Sequence, residues 1–183
     1  IVREFRKVME DGYVDATGYL RKPLIGKTIV FAVTKRHAET LATLIDNEFA
    51  HLKPSPEIKY ADYVVSGVGQ GEDTTDAMAR IRRFKKEKFP QVLVSVNMLD
   101  TGFDCPEVVN LIFARYTKSV TLYRQMLGRG TRKSQGKPVF TMFDFVGVAD
   151  AHEGEDGYGE GGNVTAKPPR PRADPRTLVT VEQ

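Results

Sequence analysis

Short apolar runs alternate with amphipathic stretches between residues 28 and 145, and this alternation constrains the fold more than any other feature of the chain. Residues 28–33 are an apolar run of the kind that forms a buried strand. Residues 36–50 carry Leu41, Leu44, Ile45 and Phe49 at helical spacing. Pro54 and Pro56 mark a loop, residues 63–66 a short strand, and residues 67–73 a flexible loop. A helix is expected over 75–88, capped by Asp73 or Thr75, with Met78, Ile81 and Phe84 on one side. Strands follow at 91–96 and 108–113, then a helix at 119–128 and a strand at 138–145. Strands that alternate with helices form a parallel sheet covered on both faces. The expected fold is therefore α/β and doubly wound, with function at the carboxyl ends of the strands.

At 183 residues and 40% hydrophobic content, this is one domain with a proper core. The net charge of +3 is a weak signal for nucleic acid, so local clusters matter more. The single cysteine, Cys105, excludes an internal disulfide, reads as a small buried side chain and fits a cytoplasmic setting. No stretch is long and apolar enough to span a membrane. The chain starts without methionine and in mid-pattern, as a piece of a longer protein would. Residues 1–24 imply a helix and a turn at Gly12. After Asp150 the composition turns Gly- and acid-rich, then Pro- and Arg-rich, so 151–183 reads as a linker or an arm that docks elsewhere.

The chemistry concentrates in Gln125-Met126-Leu127-Gly128-Arg129-Gly130-Thr131-Arg132. Residues three apart share a helix face, so Arg129 and Arg132 can point the same way. Two guanidinium forks suit a polyphosphate, as arginine fingers do. The same spacing also fits a basic turn closing a helix. Upstream, the apolar run 92–96 leads into Asn97 and then Thr101-Gly102-Phe103-Asp104 before Pro106, a strand ending in a functional loop. Gly102 allows close backbone approach, and Asp104 could take a ribose hydroxyl or hold an arginine. Thr34, Lys35 and Arg36 follow a strand and open a helix, an arrangement suited to a backbone phosphate or to simple capping by Thr34. Ser66 and Gly67 stand at the next strand end. Arg80, Arg82, Arg83, Lys85, Lys86 and Lys88 could follow a phosphate backbone or form a solvated face.

Several patterns are decoys. Gly26-Lys27-Thr28 precedes a strand, and Arg21 occupies the place of the first P-loop glycine. Gly67, Gly69 and Gly71 fall short of a dinucleotide fingerprint. His37, His51 and His152 lack metal-ligand spacing, so no metal site is expected. Asp144 ends a strand and reads as a loop organiser.

The segments 27–35, 92–106 and 125–132, in this order, resemble motifs IV, V and VI of the second RecA-like lobe of superfamily 2 helicases and translocases. Residues 125–132 match the Gln-x-x-Gly-Arg-x-x-Arg of motif VI, and Gly102 and Asp104 match the Gly-x-Asp of motif V. Residues 104–113, 119–125 and 128–133 look most like the motor (R) subunit of type I restriction enzymes. The resemblance implies a lobe over 25–150, approached through 1–24 from a first lobe that binds most of the ATP and Mg2+. It implies that Arg129 and Arg132 are fingers and that Gly102, Asp104 and Gln125 face the nucleotide. Thr34, Lys35, Arg36, Ser66, Gly67 and Asn97 would touch double-stranded DNA. Methyltransferase and specificity subunits would be partners. The position of a nucleic-acid-binding threonine in relatives is Val96 followed by Asn97, and a helix arginine is replaced by Ala77. Translocation therefore fits better than strand separation. The rivals are a repair or RNA helicase lobe and a silent scaffold lobe.

Overall fold

The computed structural model describes residues 1–15, 17–65, 74–97, 103–132, 134, 137 and 139–152, and the backbone of 177–182. Helix α1 (Val2–Asp11) ends at Gly12, whose φ of 84° belongs to glycine. A Cβ there would also lie 2.4 Å from the Arg21 carbonyl oxygen. Strands β1 (Tyr13–Val14) and β2 (Leu20–Arg21) form an antiparallel pair that the apolar pattern did not reveal.

The main sheet holds β3 (Lys27–Phe31), β4 (Ala61–Val65), β5 (Val92–Val96), β6 (Val108–Phe113), β7 (Val139–Asp144) and β8 (Thr177–Glu182). Its order is β4-β5-β3-β6-β7-β8. The first five strands are parallel, and β8 joins antiparallel to β7. Residues 177–182 thus add to this lobe's own sheet, within the stretch read from sequence as a linker or arm.

Alternate strand residues serve opposite faces. Val30, Val92, Val94 and Ile112 pack under α1 and α2 (Lys35–Glu48) with Phe5, Leu41 and Ile45. Ile29, Leu93, Leu111 and Phe140 pack on the other face with Phe84 of α3 (Thr74–Lys86) and with Tyr123 and Met126 of α4 (Val120–Leu127). Val148 of the short α5 (Val148–Ala151) completes that layer. The expected doubly wound α/β architecture is the one observed. Among the described residues, no helix is long and apolar enough to cross a membrane.

Two details differ from the sequence reading. Leu44 is 49% exposed and Met78 56% exposed, because the sheet contacts the helix faces carrying Ala38, Leu41, Ala42 and Ile45, and Ala77 and Phe84. Strand β4 starts earlier than expected, since Asp62 is buried within it and salt-bridged to Lys59 at 3.2 Å.

Candidate functional site

The strand starts Lys27 and Val108 pair with each other, and Thr28 pairs with Val92, which sets one edge of the sheet. The segment Phe103–Pro106 precedes β6, and Lys137 precedes β7, so both lie at this amino-terminal edge. Helix α4 begins after β6, capped by the Ser119 hydroxyl on the Leu122 amide at 3.2 Å, and runs back to it. It ends at Leu127, so Arg129 and Arg132 stand beyond the helix and not on a shared helical face. What brings them together is the 103–104 segment. Arg129 donates through Nη1 to the Phe103 carbonyl at 2.5 Å. Arg132 pairs through Nη1 with Asp104 Oδ1 at 3.0 Å. Gln125 lies exposed in the last turn of α4.

Close packing holds this segment in place. A Cβ on Gly130 would lie 2.6 Å from the Phe140 ring and 2.9 Å from Leu111, so the chain between the arginines can pass only as glycine. Lys137, buried at 7% exposure, donates through Nζ to the carbonyls of Gly130 at 2.5 Å, Arg132 at 2.8 Å and Pro106 at 3.3 Å. Burial pushes its pKa below the usual lysine value. Beside Asp104 opens a cleft of about 240 Å³ lined by Lys85, Cys105, Pro106, Glu107 and Ser134. Cys105 is buried, and burial pushes its thiol pKa up.

The chemistry expected at the carboxyl ends of strands is therefore divided. Asp104 and both arginines occupy the opposite edge. Among the residues read as DNA contacts, Thr34, Lys35 and Arg36 follow β3, and Asn97 follows β5. Thr34 caps α2, accepting from the His37 amide at 3.2 Å, and Arg36 is exposed. Asn97 adopts a φ of 55°, and its side-chain oxygen accepts from Arg115 Nη1, after β6. Gly102, Ser66 and Gly67 lie outside the described residues.

Lys137 and Arg115 escaped the sequence reading, since neither belongs to a motif and only the fold brings Lys137 to the Pro106 carbonyl and Arg115 to Asn97. Lys27 is no P-loop lysine. It is buried and donates to the carbonyls of Glu87 at 2.6 Å, Lys88 at 3.1 Å and Pro90 at 2.8 Å. A Cβ on Gly26 would meet Val109 at 2.8 Å, so that glycine serves packing. Arg80 is engaged by Asp76 at 2.7 Å and by the Tyr63 carbonyl at 3.1 Å, which takes it out of any simple solvated face. Asp144 accepts from the amides of Val146, Gly147 and Ala149, organising the turn into α5 as expected. Each histidine has a local place: His37 at α2, His51 near Glu10, and His152 stacked on Tyr123.

Residues 15–134 match the helicase conserved C-terminal domain family. The chain is 33% identical over 170 residues to the endonuclease subunit of the type I restriction enzyme EcoKI from Escherichia coli K12, covering 90% of this chain. It is 30% identical over 168 residues to the EcoAI endonuclease subunit from Escherichia coli, covering 88% of this chain. It spans 14% and 20% of those two subunits' lengths. A solved fragment described as an HsdR subunit of a type I restriction enzyme from Vibrio vulnificus YJ016 superposes with a TM-score of 0.53 at 30% identity, over 62% of this chain and 22% of that one. The family match runs through both arginines and Asp104, and the relatives named are restriction subunits. The chain accordingly belongs to the helicase conserved C-terminal domain family, as a RecA-like lobe related to the endonuclease subunits of type I restriction enzymes.

Proposed function

We propose that this chain is the second motor lobe of an ATP-driven translocase on double-stranded DNA, acting as the restriction (R) subunit of a type I restriction-modification system. The observation that carries the reading is the pair of anchors on one segment: Arg129 on the Phe103 carbonyl and Arg132 on Asp104. They tie two guanidinium groups to consecutive residues at one sheet edge, and the second of these, Asp104, also lines the cleft. That donor set suits a polyphosphate, and Asp104 suits a ribose hydroxyl. ATP would supply the transferable γ-phosphoryl group, and Arg129 and Arg132 would neutralise charge there. Gly102 and Gln125 would complete the nucleotide side. Mg2+ would be bound mainly by the first lobe, beside the phosphates.

At the opposite edge, Thr34, Lys35, Arg36, Ser66, Gly67 and Asn97 would grip the DNA backbone. Phosphate contacts of this kind fix register without reading sequence. Specificity and methyltransferase subunits would then choose the site. Separating the two functions across the sheet lets lobe closure on nucleotide move the DNA-gripping edge. Residues 1–24 would lead in from the first lobe, 25–150 would form the motor lobe, and 177–182 would extend its sheet as β8. The lobe alone would hydrolyse no ATP, since it holds half a site.

The test is DNA-stimulated ATP hydrolysis by the full-length protein with Arg129→Ala and Arg132→Ala. Loss of turnover with ATP affinity kept supports the motor reading. Full turnover in folded variants leaves a scaffold lobe.

A further inference from the structure

We infer that Lys137 is a positioning residue for the two arginines, clamping the 129–132 segment to the 103–106 segment through their main-chain oxygens. The inference rests on the finger reading above and extends it to a residue outside every motif. Lys137 lies five residues beyond Arg132, yet its ammonium meets the carbonyls on both sides of Thr131, those of Gly130 at 2.5 Å and Arg132 at 2.8 Å. Its third acceptor, the Pro106 oxygen at 3.3 Å, lies two residues past Asp104. The arginines themselves reach Phe103 and Asp104. Two arginine contacts therefore join the segments directly, and the three carbonyl contacts of one buried amine tie them again.

The energetics favour such a role. An ammonium taken out of water carries a penalty of several kcal/mol, which hydrogen bonds must offset. A charge-assisted bond is stronger than a neutral one. Three of them hold Lys137 charged in place and fix the direction of the carbonyls it grips. An exposed pair such as Arg132–Asp104 cannot fix geometry alone, because it exchanges readily with water. The protein contains a matched control. Lys27, in the same cleft as Lys137, is also buried and also donates to three carbonyls, but these belong to Glu87, Lys88 and Pro90 and to neither the 103–106 nor the 129–132 segment.

The experiment compares Lys137→Met, Lys27→Met, Arg132→Ala and the double variant Lys137→Met/Arg132→Ala in the full-length protein. It reads DNA-stimulated ATP hydrolysis, KM for ATP, and thermal unfolding. Misplacing a catalytic group by about 1 Å can reduce turnover by about 10²-fold. Lys137→Met is expected to lower kcat by about tenfold or more with KM for ATP within about twofold. Lys27→Met should lose comparable thermal stability and keep kcat. The double variant should lose less than the product of the two single losses, because the lysine acts partly through Arg132. If Lys137→Met fails to fold, Lys137→Gln retains two N–H donors and should give turnover below wild type with KM kept. Equal kcat in folded Lys137 and Lys27 variants overturns the inference, as do losses that multiply in the double variant. Wild-type turnover in Arg132→Ala removes the finger reading and this inference together. A loss confined to Arg132→Ala removes the inference alone.

Discussion

Arg132 and Asp104 pair at 3.0 Å while their side chains remain 50% and 52% exposed. An ion pair this open contributes roughly 0–1 kcal/mol, too little to hold two segments together. Its significance is one of location, because with the backbone held by Lys137 it sets a guanidinium beside the cleft that Asp104 lines. Asp104→Asn should change unfolding free energy by less than about 1 kcal/mol, measured by urea titration. The same variant should lower ATP turnover in the full-length protein. A large stability loss would show that the pair has a structural role instead.

The two sheet edges should be separable by mutation. Arg129→Ala should reduce ATP turnover by an amount on the order of 10³ to 10⁵ while leaving DNA affinity intact. Arg36→Ala, at the other edge, should weaken duplex binding uniformly across sequences and reduce the salt slope by about one. Fluorescence titrations of duplex DNA over a salt series check this. A turnover loss in Arg36→Ala at saturating DNA would contradict the division.

Gly130 should resist replacement. Its Cβ would enter the Phe140 ring at 2.6 Å, and both Phe140 and Leu111 are fully buried. Overpacking of this kind costs about 1–3 kcal/mol. Gly130→Ala should lower the unfolding midpoint and displace the arginines, so turnover falls with stability. Thr131→Ala is the comparison, since Thr131 is only partly buried and its hydroxyl bond to Gly128 is long, at 3.4 Å. It should be close to neutral.

Alkaline stability depends on Tyr60. Its ring stacks on Phe49 at 4.9 Å, and burial pushes its phenol pKa up to about 12 from 10.0. The folded state therefore holds the proton more tightly than the unfolded chain. Stability from this group is fully present below pH 10 and is lost as pH rises toward about 12. Tyr60→Phe should flatten the fall in unfolding free energy across that window by roughly 2–3 kcal/mol. Denaturant titrations at pH 9 and above, about pH 11, would show parallel curves if the phenol were not responsible.

What the amino-acid sequence determined alone is what local chemistry determines. Apolar runs and helical spacing marked each of β3, β4, β5, β6 and β7 and each of α1, α2, α3 and α4, because period and burial are properties of neighbouring residues. The arginines and Asp104 were visible for the same reason, as a dense cluster of chemistry over a few positions. Placement was another matter. Leu44 and Met78 fitted their apolar patterns and yet face outward, since the sheet chooses which helical stripe it covers. Two antiparallel additions, the β1–β2 pair and β8, depend on partners that no local pattern names. Lys27 and Lys137 look like ordinary lysines in sequence. Their role comes from carbonyls up to 63 residues away that only the folded chain brings within reach of one ammonium. The division of the candidate site between opposite sheet edges is likewise tertiary. It follows from α4 running back across the sheet and setting Arg129 and Arg132 at the amino-terminal edge, beside the segment that had already crossed there from β5.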